Sequence, residues 1–264
     1  MLSTSLSLTL LALASVVSAD RTFTVKNNCK YTIWPALFTS AGTAPSHATG
    51  WEAKKGTKVA FKVAEDWNGR IWARTGCKFD GSTLPSTCVT GGCNGGLECA
   101  RVGGTGVPPA TLGEWNLASP DQDWYDVSAV DGTNVPMSIA NDAGCAQPSC
   151  MKDINEVCPT ELSVYDSTHS TVLGCLTSCQ SRALTPVPSN SANCCSGAFD
   201  TPATCPKENV QYYEVFKSNC PDAYAYAYDE SSGSALWTCP KAKKANYTLT
   251  FCMYPLSSHF DERR

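Results

Sequence analysis

The chain has 264 residues, 17 % of them charged, a net charge of −4 and a pI near 5.4. An acidic chain with no lysine- or arginine-rich run argues against nucleic acid and against an anionic membrane surface as partners. Its 16 cysteines suggest an oxidised extracellular protein held by eight disulfides, which makes structural cross-linking the first reading of any cysteine pair in it.

Residues 1–19 are apolar or hydroxylic and end in the small-residue triplet Val17, Ser18 and Ala19. They read as a signal peptide cleaved before Asp20, too short an apolar run for the roughly 20 residues of a membrane span. No later segment has the length or apolarity to span a membrane. Secretion is the expected localisation, with the cell wall as the place of action.

Downstream, short β-rich runs are punctuated by Gly, Pro and Asn. Strands are expected at 22–26, 31–34, 59–63, 71–73, 125–128, 135–139, 224–228 and 247–251. Tyr224, Tyr226 and Tyr228 repeat with period two, as on one side of a strand. This pattern predicts a mainly β protein, a sandwich or a barrel. Residues 76–107 are rich in Gly and Cys and form a small disulfide loop domain. Residues 152–220 hold seven cysteines and a short helix at 210–219, and read as a disulfide-rich lobe. The β core then comprises 20–75, 108–151 and 221–254. The residues after Cys252 read as a surface tail, of which 255–264 lies beyond the core.

Several motifs resolve to ordinary readings. Cys145 with Cys150 and Cys175 with Cys179 have metal-like spacings, and Cys194-Cys195 is a candidate redox pair. His47, His169 and His259 are far apart, however, and zinc needs thiolates and imidazoles that converge. No metal and no cofactor is expected. The glycines at 91–96 lack the Lys-Ser/Thr of a phosphate loop, and neither a papain-type nor a G-x-S-x-G nucleophile motif is present. Asn246, followed by Tyr247 and Thr248, is an N-glycosylation sequon. Glu114, Asp123, Asp126, Asp131 and Asp222 are candidate site carboxylates, although Asp131 before Gly132 also fits a turn and Asp222 after Pro221 a turn or cap.

A set of motifs along nearly the whole mature chain resembles the thaumatin-like, or pathogenesis-related group 5, family. Its carriers include Phe23–Cys29, Gly69–Cys77, Cys88–Cys93, Pro108–Leu112, Asp131–Met137, Cys194-Cys195, Cys220–Tyr224 and Phe251-Cys252. The resemblance implies a thaumatin-like β-sandwich flanked by a disulfide-rich loop and helix lobe and a small loop domain. It implies the pairing Cys29–Cys252, Cys77–Cys88, Cys93–Cys99, Cys145–Cys239, Cys150–Cys220, Cys158–Cys175, Cys179–Cys194 and Cys195–Cys205, which the sequence by itself leaves open. It also implies an acidic cleft for β-1,3-glucan, lined by Arg70, Glu114, Asp126, Asp131 and Asp222; since hydrolysis needs one protonated and one ionised carboxyl, Glu114 is the expected general acid and Asp131 the expected base or nucleophile. Arg70, Asp126 and Asp222 would bind substrate and tune those carboxyls. Weak endo-β-1,3-glucanase activity is the leading expectation, in a monomer. The alternatives are a non-catalytic glucan-binding antifungal protein and an inhibitor of glycosidases or proteases. Trp115, Trp124 and Tyr224 are candidate sugar platforms or core residues. One departure from the family pattern is Gly92, where an Asp is expected, and it bears on the local loop path.

Overall fold

A computed structural model describes residues 20–252, so the expected signal peptide and the tail after Cys252 lie outside the described residues. Two five-stranded sheets face each other. The first comprises β1 (Arg21–Asn27), β3 (Lys58–Val63), β7 (Met137–Asn141), β8 (Ser149–Cys150) and β12 (Tyr247–Phe251), in the order β3-β1-β12-β7-β8. The second comprises β2 (Trp34–Ala41), β4 (Asn68–Arg74), β5 (Leu112–Asn116), β6 (Gln122–Ser128) and β11 (Trp237–Pro240), in the order β11-β6-β5-β4-β2. β9 (Ser163–Tyr165) and β10 (Val172–Cys175) form a separate hairpin.

Alternation sets the core. In β1, Phe23 and Val25 point inward while Thr22, Thr24 and Lys26 stay half-exposed. The inward residues meet an aromatic cluster: the Phe23 ring lies 5.0 Å from Trp115, 5.5 Å from Trp67 and 5.3 Å from Tyr247. Such edge-on and tilted pairs add to the area that burial already removes from water. Trp115 is therefore a core residue. At one end of this interior Arg21 from the first sheet pairs with Asp123 of β6 at 3.3 Å, and the Tyr247 hydroxyl donates to the same carboxylate at 2.9 Å. Both charged side chains are almost wholly buried.

The expected strand at 224–228 does not form. Only Tyr224 bridges to the sheet, at Ser128. The Asp229 carboxylate accepts the Ala225 backbone N–H at 2.9 Å, which closes a turn in competition with extended pairing. Tyr226 then packs edge-on against Tyr213 in the lobe instead of lying beside Tyr224. The expected strand at 31–34 starts only at Trp34, because upstream just Ile33 bridges, to Ala53. The helix expected at 210–219 is the single turn α1 (Tyr213–Lys217).

Eight disulfides close the described chain, in the pairs Cys29–Cys252, Cys77–Cys88, Cys93–Cys99, Cys145–Cys239, Cys150–Cys220, Cys158–Cys175, Cys179–Cys194 and Cys195–Cys205. Cys145–Cys239 ties the β7–β8 connection to β11 across the sandwich, and Cys150–Cys220 ties β8 to the end of the α1 segment. Each such bridge is worth roughly 2–4 kcal/mol through its constraint on the unfolded chain.

Residues 76–107 lie over part of the outer face of the second sheet. The Trp72 indole donates to the Gly91 carbonyl at 2.7 Å. Arg74 is fully buried without a carboxylate and donates instead to the carbonyls of Trp34, Gly96 and Leu97. Burial holds its pKa down at about 10. A Cβ at Gly92 would lie 1.9 Å from the Pro85 carbonyl oxygen. The loop around Pro85 thus fills the space that an Asp side chain would need.

Asn246 has both ends of its carboxamide engaged. Its Nδ2 donates to Asp142 at 2.7 Å and its Oδ1 accepts the Thr22 N–H at 2.7 Å. The Nδ2 bond, with the Asn246 backbone N–H that donates to the same carboxylate at 2.8 Å, holds the Asp142 carboxyl below the usual carboxylate range.

Candidate functional site

Three antiparallel strands set the site by register alone. Arg70 of β4 stands opposite Glu114 of β5, and Glu114 stands opposite Asp126 of β6. All three point away from the core, so they form one charged row across the outer face of the second sheet. On one side lies an apolar row, Ala36, Trp72 and Leu112, packed beneath the 76–107 loops. On the other side lies a polar row, Asn68, Asn116 and Trp124. The row lines a cleft beside Tyr224, Ala227 and Glu230, with Arg70 and Glu114 half-buried and Asp126 buried.

Asp131 arrives from a turn after β6. The Gly132 N–H donates to the Ala129 carbonyl at 2.9 Å, and the Asp131 carbonyl accepts the Ala110 N–H at 3.0 Å. Gly132 sits at φ +78°, and a Cβ there would approach the Cys175 carbonyl oxygen to 2.4 Å, so the turn requires glycine. The turn brings the Asp131 carboxylate to 3.6 Å from Arg70 Nη1, while Glu114 takes Arg70 Nη2 at 3.0 Å. One guanidinium therefore links two carboxylates. Gln180 of the lobe donates to Asp131 at 3.4 Å.

Two cavities meet at this row. One, of about 500 Å³, runs over Asn68, Asn116 and Trp124. The other, of about 420 Å³, runs toward Asp131, Tyr224 and Glu230. Both are lined by Arg70, Glu114 and Asp126. Asp222 lines neither. Its backbone carbonyl accepts the Trp237 indole N–H at 3.1 Å, at the edge of the sheet. Glu230, absent from the sequence-derived set, does line the cleft and accepts the Tyr224 hydroxyl at 3.1 Å. The sequence signal for it is slight, an acidic pair directly after the tyrosine repeat.

The carboxyls differ in proton affinity. Burial, and then the charge of Glu114 beside it, pushes Asp126 well above the usual carboxylate range. Its Oδ1 is buried without a hydrogen-bond partner among the described residues. Burial also raises Glu114, which the Asp131 charge raises further while Arg70 pulls it down. Burial raises Asp131 too, against the pull of Arg70. Like charges crowded in one cleft spread the proton affinities of such a set. Among the described residues no group of His, Cys, Asp and Glu is placed to hold a metal ion, and no helix is long and apolar enough to cross a membrane.

These raised values bear on stability. An acid whose pKa is higher in the folded chain than in the unfolded one stabilises the fold fully below its unfolded pKa of about 4. That contribution is lost as pH rises through the folded value. Asp126→Asn removes the ionisable group and keeps the shape. Melting temperatures of the variant should exceed the wild type at pH 7 and match it near pH 3. Equal melting temperatures at pH 7 would overturn the view that Asp126 resists ionisation.

A sequence model of the thaumatin family matches residues 27–253. A protein of Prunus avium named glucan endo-1,3-beta-glucosidase is 41 % identical, over 94 % of this chain and 96 % of its own. Pathogenesis-related thaumatin-like protein 3.5 of Cryptomeria japonica is 40 % identical, over 87 % and 89 %. Pathogenesis-related protein 5 of Arabidopsis thaliana is 41 % identical, over 90 % and 92 %.

Proposed function

The chain belongs to the thaumatin family, and from that premise we propose that it is a secreted protein whose cleft binds β-1,3-glucan and hydrolyses it slowly as an endoglucanase. One observation carries the reading. The Arg70 guanidinium is shared by Glu114 and Asp131, and the buried, proton-retaining Asp126 stands next in the row. Glycoside hydrolysis needs one carboxyl that donates a proton and one that attacks or activates water. Glu114 is the acid, since its pKa is raised and its side chain keeps 29 % of its surface open to the cleft. Asp131 is the base or nucleophile, held in place by Arg70 and Gln180, with the Arg70 charge opposing the rise that burial gives its carboxyl. Asp126, only 9 % exposed, binds a sugar hydroxyl as a neutral carboxyl. The name of the Prunus avium relative supports the choice of linkage.

Substrate positioning falls to the polar row. Trp124 is the aromatic of the cleft with an exposed face, and Asn68 and Asn116 lie beside it in register. An indole under a sugar ring with amides at its edge suits a neutral polysaccharide. Asp222, at the edge of the sheet, would contact a longer chain outside the two cavities.

The test is reducing-sugar release from laminarin by purified mature protein at mildly acid pH, beside sedimentation with insoluble β-1,3-glucan. Release with sedimentation is the expected result. Sedimentation without release would make the cleft a recognition surface only. Neither would remove the glucan reading and leave inhibition of a foreign glycosidase or protease as the reading to pursue.

A further inference from the structure

The outer face of the first sheet, across the sandwich from the cleft, carries a charge pattern opposite to that of the whole chain. Residues 26–62 contain six lysines and a single carboxylate, Glu52. They are scattered in sequence, but folding collects five of them. Lys26 of β1 stands directly opposite Lys58 of β3. The Gly56 N–H donates to the Asn27 carbonyl at 2.8 Å, which seats the turn bearing Lys54 and Lys55 at the end of the same strands. Lys62 lies four residues along β3 from Lys58, about 13 Å at the rise of a strand. None of Lys26, Lys54, Lys55, Lys58 and Lys62 is ion-paired among the described residues.

Two like charges facing each other across an antiparallel pair destabilise it. Lysines on an edge strand can serve to block sheet-to-sheet association, and β3 is such an edge. That purpose accounts for Lys58 and Lys62. It does not account for Lys26, one strand further in, nor for the pair on the turn. We propose that this face binds an anionic polysaccharide, with the lysine ammoniums on its carboxylate or sulfate groups. The hydroxyls of Thr22, Thr24 and Thr248, which share the face with the lysines, suit sugar hydroxyls. The apolar side chains on it, Ala60 and Ala140, are too small to enter a lipid layer or to stack on a base. The protein then holds two polysaccharides of opposite character on opposite faces: a neutral glucan in the acidic cleft, and an acidic polymer behind it that keeps the protein close to its substrate.

Affinity electrophoresis of the mature chain through gels containing polygalacturonate, heparin or laminarin tests this. Retardation by at least one of the two anionic polymers is expected at low salt, fading by about 0.3 M as charges are screened. The more strongly retarding polymer identifies the anionic group. Lys26→Thr/Lys58→Thr should weaken that binding about tenfold or more, from the loss of two cationic contacts. Its melting temperature should hold or rise, and its laminarin hydrolysis should stay at the wild-type level. Absence of retardation by either anion at low salt overturns the proposal, as does equal retardation of the double variant. Equally tight binding to duplex DNA or to phosphatidylserine vesicles would also overturn it, by reducing the face to unspecific charge. Failure of laminarin hydrolysis in the wild type would leave this result untouched, since the two faces share no residue.

Discussion

Glu114→Gln is expected to lower laminarin hydrolysis by about 10²–10⁴-fold, the usual contribution of a positioned general acid. The substitution keeps the size of the side chain and its place opposite Arg70 and Asp126. It removes the only function that Gln cannot supply, the release and recapture of a proton. Arg70 keeps Asp131 as a partner, so the cleft should hold its shape and binding to insoluble glucan should persist. The pH profile adds a check. Wild-type activity should decline on the alkaline side as Glu114 loses its proton, at a pH above the ordinary carboxylate range. The residual activity of the variant should lack that limb. Undiminished hydrolysis by a folded Glu114→Gln protein would move the acid role to Asp126, the other raised carboxyl in the row.

Asp123→Ala should cost about 3–5 kcal/mol, because it strips a buried guanidinium of its counter-charge. Among the described residues Arg21 Nε and Nη1 already meet no partner, and its Nη2 would retain only the Lys241 carbonyl at 3.2 Å. The Tyr247 hydroxyl loses its acceptor in the same step. At this chain length the loss corresponds to a fall in melting temperature on the order of 10 °C. The double variant Arg21→Met/Asp123→Leu removes both charges and should recover most of that loss. A single-variant fall of less than about 3 °C in thermal melts would show that water reaches Arg21 and that the pair is not sealed.

The family resemblance rested on short motifs, and those motifs lie where the chain is most constrained. Gly69–Cys77 contains the strand that presents Arg70, and Asp131–Met137 contains the turn that presents Asp131. The row was legible only through the resemblance, which grouped Arg70, Glu114 and Asp126 in one cleft. β5 has five residues, includes Gly113, and offers Glu114 and Asn116 on its outer side, so neither β-propensity nor apolar alternation marks it. Its partners lie 44 residues upstream and 12 downstream, and only the register of pairing makes them neighbours. The tyrosine repeat misled for the opposite reason. Its alternation was real in sequence, but the Ala225 N–H donates to the Asp229 carboxylate, the backbone turns there, and Tyr226 packs elsewhere. That same turn put Glu230 into the cleft. The lysine face escaped notice because its members are never adjacent except at Lys54 and Lys55.

β1 and β12 run parallel, side by side, and Cys29–Cys252 joins them where both leave the sheet. A pull between Asp20 and Cys252 therefore travels along β1 to Cys29 and crosses the disulfide, bypassing the 223-residue separation between the two cysteines. Because β1 is already extended, at about 3.3 Å per residue, it yields almost no length and the load passes at once to covalent bonds. Both sheets apart from β1, the cleft and the lobe hang as an unloaded side branch. Under reducing conditions the same pull would run through every strand in turn. A single-molecule force trace should show no unfolding extension when oxidised and a long series of unfolding events when Cys29–Cys252 is open.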